Sequence, residues 1–211
     1  MKLVQVEDPA VGSFDLEDGE VGVLLGRSGA GKTVLIKKLL GLDRRLIARR
    51  GSPLSHSCAY VPQSDGVLLD LTVLGNVTCP DPHVAPVPQE RALDWLDLVG
   101  LRARASSAAS DLSLAERRRV ALARALSRQK PLLILDGDFD HTLDALLRDL
   151  LATVPHLCSV LTTSCVADMR VWKADRVGVV EGSRLIAVGT MGDLVSSLDP
   201  DVRAALSWTM A

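Results

Sequence analysis

Residues 26–33 read GRSGAGKT, between an apolar run, VGVLL at 21–25, and a helical pattern, KTVLIKKLL at 32–40. The first run reads as a buried strand entering a turn at Gly26, and the second as a helix for which Gly41 is a stop. Strand, glycine loop and helix in that order open a parallel α/β unit. The loop satisfies G-x-x-x-x-G-K-[ST], a pattern that composition alone would produce in about 1% of chains of this length. Its placement between a strand and a helix is the context that decides for a phosphate-binding loop over an ordinary glycine turn. Glycines let the backbone curl so that several N–H groups face one phosphate, and the helix adds its positive end. Gly26, Arg27, Ser28, Gly29, Ala30, Gly31, Lys32 and Thr33 are therefore candidate nucleotide contacts. Lys32 would bring a mobile charge to the outer phosphates, and the Thr33 hydroxyl would ligate Mg²⁺.

The chain of 211 residues suits one domain with a substantial core, which Leu, Val and Ala must build, since aromatics are only 3%. A net charge of -2 gives no electrostatic reason to expect a nucleic-acid partner. Arg117, Arg118 and Arg119 form a short cluster in a helical pattern and read as a solvated face. No apolar run approaches the roughly eighteen residues of a membrane span. The first residues are acidic and broken by Pro9 and two glycines, unlike a signal peptide. A membrane role then requires a separate spanning partner. Cys58, Cys79, Cys158 and Cys165 lack the short paired spacing of a zinc site, and read as reduced, mostly buried thiols of a cytosolic protein.

Further strands are expected at CAYV (58–61), LLILD (132–136) and SVLTT (159–163), with a hairpin of RVGVV and RLIAV across Glu181–Gly182–Ser183. Helices are expected over 89–99, where Ala92, Trp95, Leu96 and Val99 share a face and Gly100 terminates, then after Ser113 and over 142–153. The segment from Gly192 to Ala205 reads as helix broken at Pro200. Phe14 reads as a core residue of an early strand.

The order and spacing of these segments resemble an ABC-type ATPase over nearly the whole chain. YVPQ ending at Gln63 is similar to that family's Q-loop, LSLAERRRVALARAL (112–126) to its signature segment, LLILD ending at Asp136 to its Walker B strand, and DRVGVVEGSRLIAVGT to its last hairpin. The resemblance implies a P-loop ABC ATPase fold of class α/β, with a mainly parallel central sheet, a small antiparallel β subdomain and an inserted helical subdomain. Residues 1–211 would be one nucleotide-binding domain, with approximately 66–127 as the helical part that receives a permease's coupling helix. It also implies ATP and Mg²⁺ as cofactors, sandwiched in a head-to-tail dimer. Asp136 would hold Mg²⁺ through water, Gln63 would sense the metal and the attacking water, and Asp144 would be the D-loop acid at the interface. Ser113 would reach the γ-phosphate across the dimer, a role compatible with its capping the helix through a box with Glu116.

Four positions depart from the family pattern. Gly137 stands where Glu usually follows the Walker B Asp, Ser164 where a switch His is usual, and LSLAE where LSGGQ is usual. No aromatic precedes Phe14 to stack on adenine. One residue more than usual separates Asp136 from Asp144; if Gly137 is the insertion, Asp138 falls into the register of the general base. His141 and His156 read as surface residues rather than as replacements for the switch His.

The implied function is a cytoplasmic ATP-binding subunit on the inner face of the inner membrane. It would pair with a transmembrane permease and with a copy of itself or another ABC ATPase, and not with nucleic acid. DLTVLGNV (70–77) and GDLVSSLDPDVRAAL (192–206) are similar to the Mla-type subgroup, which implies a lipid cargo. The competing expectation is a catalytically degenerate ATP-binding module, acting as a heterodimer partner or regulatory switch.

Overall fold

The computed structural model describes residues 2–8, 12–40, 58–79, 86–137, 141–165, 171 and 173–207. The chain opens with strands β1 (Lys2–Asp8) and β2 (Gly12–Glu17), which pair antiparallel as a separate two-stranded sheet. The main sheet has six strands: β3 (Val21–Leu25), β4 (Cys58–Val61), β5 (Leu132–Leu135), β6 (Ser159–Ser164), β7 (Arg176–Glu181) and β8 (Arg184–Gly189). Their order is β4-β5-β6-β3-β7-β8, parallel throughout except for the antiparallel β7–β8 hairpin. Every residue of β3, β5 and β6 is buried, which is why β3 and β5 carry continuous apolar runs instead of alternation, while β6 buries Ser159, Thr162, Thr163 and Ser164 beside Val160 and Leu161.

Helices cover both faces. On one side α1 (Lys32–Leu39) sets Leu35, Ile36 and Leu39 against Leu132, Ile134 and Leu161, with Phe14 and Leu16 of β2 in the same cluster. On the other, α2 (Val73–Thr78), α3 (Gln89–Leu98), α4 (Leu114–Ser127) and α5 (His141–Thr153) contribute to a larger core around Leu133, Leu135 and Val160. Short helices α6 (Met191–Val195) and α7 (Pro200–Leu206) close a third cluster over Val23, Leu25, Val177 and Val179. Burying one such Leu or Ile is worth about 1.5–3 kcal/mol, so these clusters supply the main stabilisation.

The expected fold class holds: mixed α/β, a mainly parallel sheet, and a small antiparallel β unit. Phe14 is a core residue, 1% exposed. Pro200 begins α7 at its first turn, where its missing N–H costs nothing, and the chain between α6 and α7 is not helical. The four cysteines are thiols, largely but not fully buried. Two expectations need correction. Arg117 is not a solvated charge: it bonds to Asp65 and to the Leu112 carbonyl. His156 is no surface residue either, because its ring packs edge-on against Trp95 with centroids 5.8 Å apart and its Nε2 is buried with no hydrogen-bond partner among the described residues.

Burial holds the His156 imidazole below its usual value of 6.5. A depressed folded pKa for a base means that the unfolded chain binds the proton first as pH falls. The contribution of neutral His156 is thus fully present above about pH 6.5 and is lost below it. Thermal melts of wild type and His156→Phe should run parallel above pH 7 or so, with wild type losing ground below that value.

Candidate nucleotide-binding site

The phosphate loop is fixed by backbone contacts at both ends. Gly26 N donates to Ser164 O (3.2 Å), Ala30 N to Arg27 O (3.0 Å), and Leu35 N to Gly31 O (2.8 Å). Gly31 caps α1 at φ 92°, a left-handed conformation, and a Cβ there would collide with the Ser183 side chain. Ser183, in the β7–β8 turn, also donates its N–H to Ala30 O (2.8 Å), so the distant hairpin buttresses the loop. The Lys32 ammonium lies back across it, donating to Gly26 O (2.5 Å) and Arg27 O (3.0 Å).

A cleft of about 340 Å³ opens in front of the loop. Ser28, Gly29, Gly31, Lys32, Thr33 and Val34 line one side, and Gln63, Asp136, Gly137, Thr163 and Cys165 the other. Arg27, Gly26 and Ala30 complete the loop without lining this cleft. Asp136 follows β5 and is 2% exposed. Its Oδ1 accepts from Thr33 Oγ1 (3.1 Å) and its Oδ2 from Tyr60 Oη (3.0 Å). Burial, then the negative charge of Asp136 and that hydrogen bond, push the Tyr60 phenol well above its ordinary value, so it remains a donor.

The departures from the family motifs have a definite geometry. Gly137 sits at φ 108°, and a Cβ built on it would lie 3.2 Å from Gln63 Cγ and 3.4 Å from Gln63 Cα. Its N–H donates to Thr163 Oγ1 (2.8 Å). Ser164, the residue matched to the switch His, is buried at 1% exposure, and Cys165 lines the cleft in its stead. Asp138 and the side chains of His141 and Asp144 lie outside the described residues. Among the described residues no cluster of His, Cys, Asp and Glu suffices to hold a metal unaided.

Ser113 caps α4 and does not line the cleft. Its backbone N–H and Oγ–H both donate to Glu116 Oε2 (2.8 Å each), and its Oγ accepts from Glu116 N (3.3 Å), the full capping box. These bonds from Ser113, with Arg104 nearby, hold the Glu116 carboxyl below its usual range. Leu114 beside it is half exposed, at 50%. Behind Gln63, Asp65 adopts φ 60° and is 7% exposed. Its carboxylate accepts from Val67 N (2.9 Å) and from Arg117 Nε (3.3 Å), while Arg117 Nη1 donates to Leu112 O (2.8 Å). One guanidinium therefore ties the loop after Gln63 to the turn that presents Ser113.

A family model described as ABC transporter matches residues 11–139. The chain belongs to the ABC transporter family. It is 37% identical to the aliphatic sulfonates import ATP-binding protein SsuB 2 of Rhizobium johnstonii, over 82% of this chain and 71% of that protein. It is 30% identical to the methionine import ATP-binding protein MetN of Mesorhizobium japonicum, over 92% of this chain and 59% of that protein. Likewise the chain spans 58% of the Fe(3+) ions import ATP-binding protein FbpC 1 of Rhodococcus jostii, at 32% identity; it covers under two thirds of these last two relatives. The fold matches cbiO1 from Clostridium perfringens, part of the ABC transporter complex cbiONQ, with TM-score 0.70 at 21% identity over 94% of this chain and 90% of that one. It matches MJ1267, an ATP-binding cassette of an ABC transporter in its ADP conformation, with TM-score 0.70 at 20% identity over 94% and 92%. Among the described residues no helix of this ABC chain is long and apolar enough to cross a membrane.

Two substitutions test this geometry. Gly137→Glu should lower stability by about 1–3 kcal/mol in denaturant titrations, the cost of a side chain at positive φ, and should not raise phosphate release from MgATP. Asp65→Ala should cost about 2 kcal/mol, since it strands Arg117 and the Val67 N–H. In a double-mutant cycle with Arg117→Ala, a coupling energy near zero would contradict the link.

Proposed function

We propose that this chain is the ATP-binding subunit of an ABC importer, binding MgATP in a head-to-tail dimer and coupling its binding and hydrolysis to transport by a membrane permease. The observation that carries the reading is the convergence of Lys32, Thr33 and Asp136 on one cleft, with Thr33 Oγ1 and Asp136 Oδ1 3.1 Å apart. A hydroxyl and a carboxylate are hard oxygen donors that fit Mg²⁺, and too few for a protein cage, as expected where phosphates and waters complete the shell. Mg²⁺ held there would neutralise charge on the outer phosphates. The loop N–H groups and Lys32 would grip those phosphates, Asp136 would orient a metal-bound water, and Gln63 would face both metal and attacking water. Asp138 would take the place of the missing Glu as base. Ser113 would approach the γ-phosphate of the partner's nucleotide, with Asp144 at the same interface. The helices within approximately 66–127 would receive the permease, placing the chain at the cytoplasmic face of the inner membrane. The names of SsuB, FbpC and MetN support import of a small solute over the lipid cargo suggested by the Mla-type strings.

A second reading, a module that binds ATP without hydrolysing it efficiently, is favoured by one observation. The backbone at Gly137 is shaped for a residue without a side chain, and Gln63 fills the adjoining space. Phosphate release by the purified protein separates the two. Turnover from MgATP that vanishes in Asp136→Asn and falls at least about a hundredfold in Asp138→Asn establishes the enzyme with its displaced base. ATP binding without release establishes the module. No ATP binding by the wild type, or binding that Lys32→Ala leaves unchanged, defeats both.

A further inference from the structure

Alternation along β4 sends Ala59 and Val61 into the core under α2–α5, and Cys58 and Tyr60 to the opposite face of the sheet. That face also carries Leu132 and Ile134 of the neighbouring β5, and it is the one against which α1 packs. Tyr60 pairs in register with Ile134, and Asp136 N donates to Val61 O (2.9 Å), which holds the first residue beyond β5 alongside β4. The Tyr60 ring packs against the Leu132–Ile134 cluster, so its position is set by burial. The hydroxyl at its tip then meets the Asp136 oxygen that faces away from Thr33, at 3.0 Å.

We infer that Tyr60 is a positioning residue for the Mg²⁺ site: its hydroxyl pins Asp136 Oδ2 so that Oδ1 is presented toward Thr33 and the phosphate loop. A carboxylate without this tether would rotate about its terminal torsion, which is broad and roughly two-fold. Hydrogen-bond partners behind the groups that serve a metal, directly or through water, fix the orientation of those groups in this manner. Tyr60 touches neither phosphate nor metal and acts only through Asp136. The inference rests on the MgATP reading above and extends it to a residue of β4 that does not itself line the cleft.

Tyr60→Phe keeps the ring and its packing and removes only the hydroxyl. Mn²⁺ titrations followed by electron paramagnetic resonance, in the presence of a non-hydrolysable ATP analogue, read metal affinity without turnover. The half-saturating Mn²⁺ concentration should rise by about tenfold in Tyr60→Phe, the lower end of the effect of losing such a partner. Metal-free analogue binding and the apo melting temperature should stay near wild type. In an Asp136→Asn background the further Tyr60→Phe change should add nothing. Wild-type Mn²⁺ affinity in Tyr60→Phe overturns the role of Tyr60 and leaves the MgATP reading intact. A loss of metal-free binding and of melting temperature that matches the loss of metal affinity also overturns it, as a packing effect. No metal-dependent binding in wild type defeats the MgATP reading itself, and the Tyr60 inference with it.

Discussion

The cleft depends on a constraint of parallel sheets. Strands β4, β5, β6 and β3 run the same way, so their carboxyl ends lie along one edge, and whatever follows each strand is delivered there. After β3 comes the phosphate loop, after β4 Gln63, after β5 Asp136 and Gly137, and after β6 Cys165. Full burial of β3, β5 and β6 fixes their heights relative to one another through the register pairs Val23↔Thr162 and Leu135↔Thr162. Hydrogen bonds from Thr33 and Tyr60 to one carboxylate are possible only because that registration is exact to within a residue.

The residues that line the cleft are thus delivered by strand ends and by the turns that follow them. Gly137 sits at φ 108°, a backbone conformation that L side chains rarely adopt, and Cys165 forms part of the cleft wall. Gly137 lies beyond Leu135, the last paired residue of β5, and Cys165 beyond Ser164, the last paired residue of β6. Sheet packing sets the scaffold in this way, and local turn geometry sets which groups face the cleft.

Much of this was legible in the sequence because the relevant strands are continuous apolar runs and the loop motif carries its own chemistry. β3, β5 and α1 fall where the patterns at 21–25, 132–136 and 32–40 place them. The capping box of Ser113 and Glu116 was legible too, since it depends on neighbours three apart on one helix. What pattern could not give was contact between elements. Tyr60 alternates with Cys58 onto the face that bears Ile134, yet only the pairing of β4 with β5 shows that its hydroxyl reaches Asp136. The partnership of Asp65 with Arg117 spans separate segments, and charge patterning alone assigned that arginine to solvent. α2 escaped because it has six residues, too short for a helical period to show. Nor could pattern alone say that, of the adjacent Ser164 and Cys165, the first is buried and the second lines the cleft.

The sheet order also has a consequence for how the chain is made. β3 emerges from the ribosome well before its neighbours in the sheet, since Val21 pairs with Val160 and Gly22 with Arg176. Until then an entirely apolar strand lacks both its neighbours, and the turn bearing Ser183, which braces the phosphate loop, does not yet exist. The long-range pairing makes the nascent chain slow to close and exposes a sticky strand throughout synthesis. Nucleotide therefore finds a finished loop only once the last hairpin has been translated and docked.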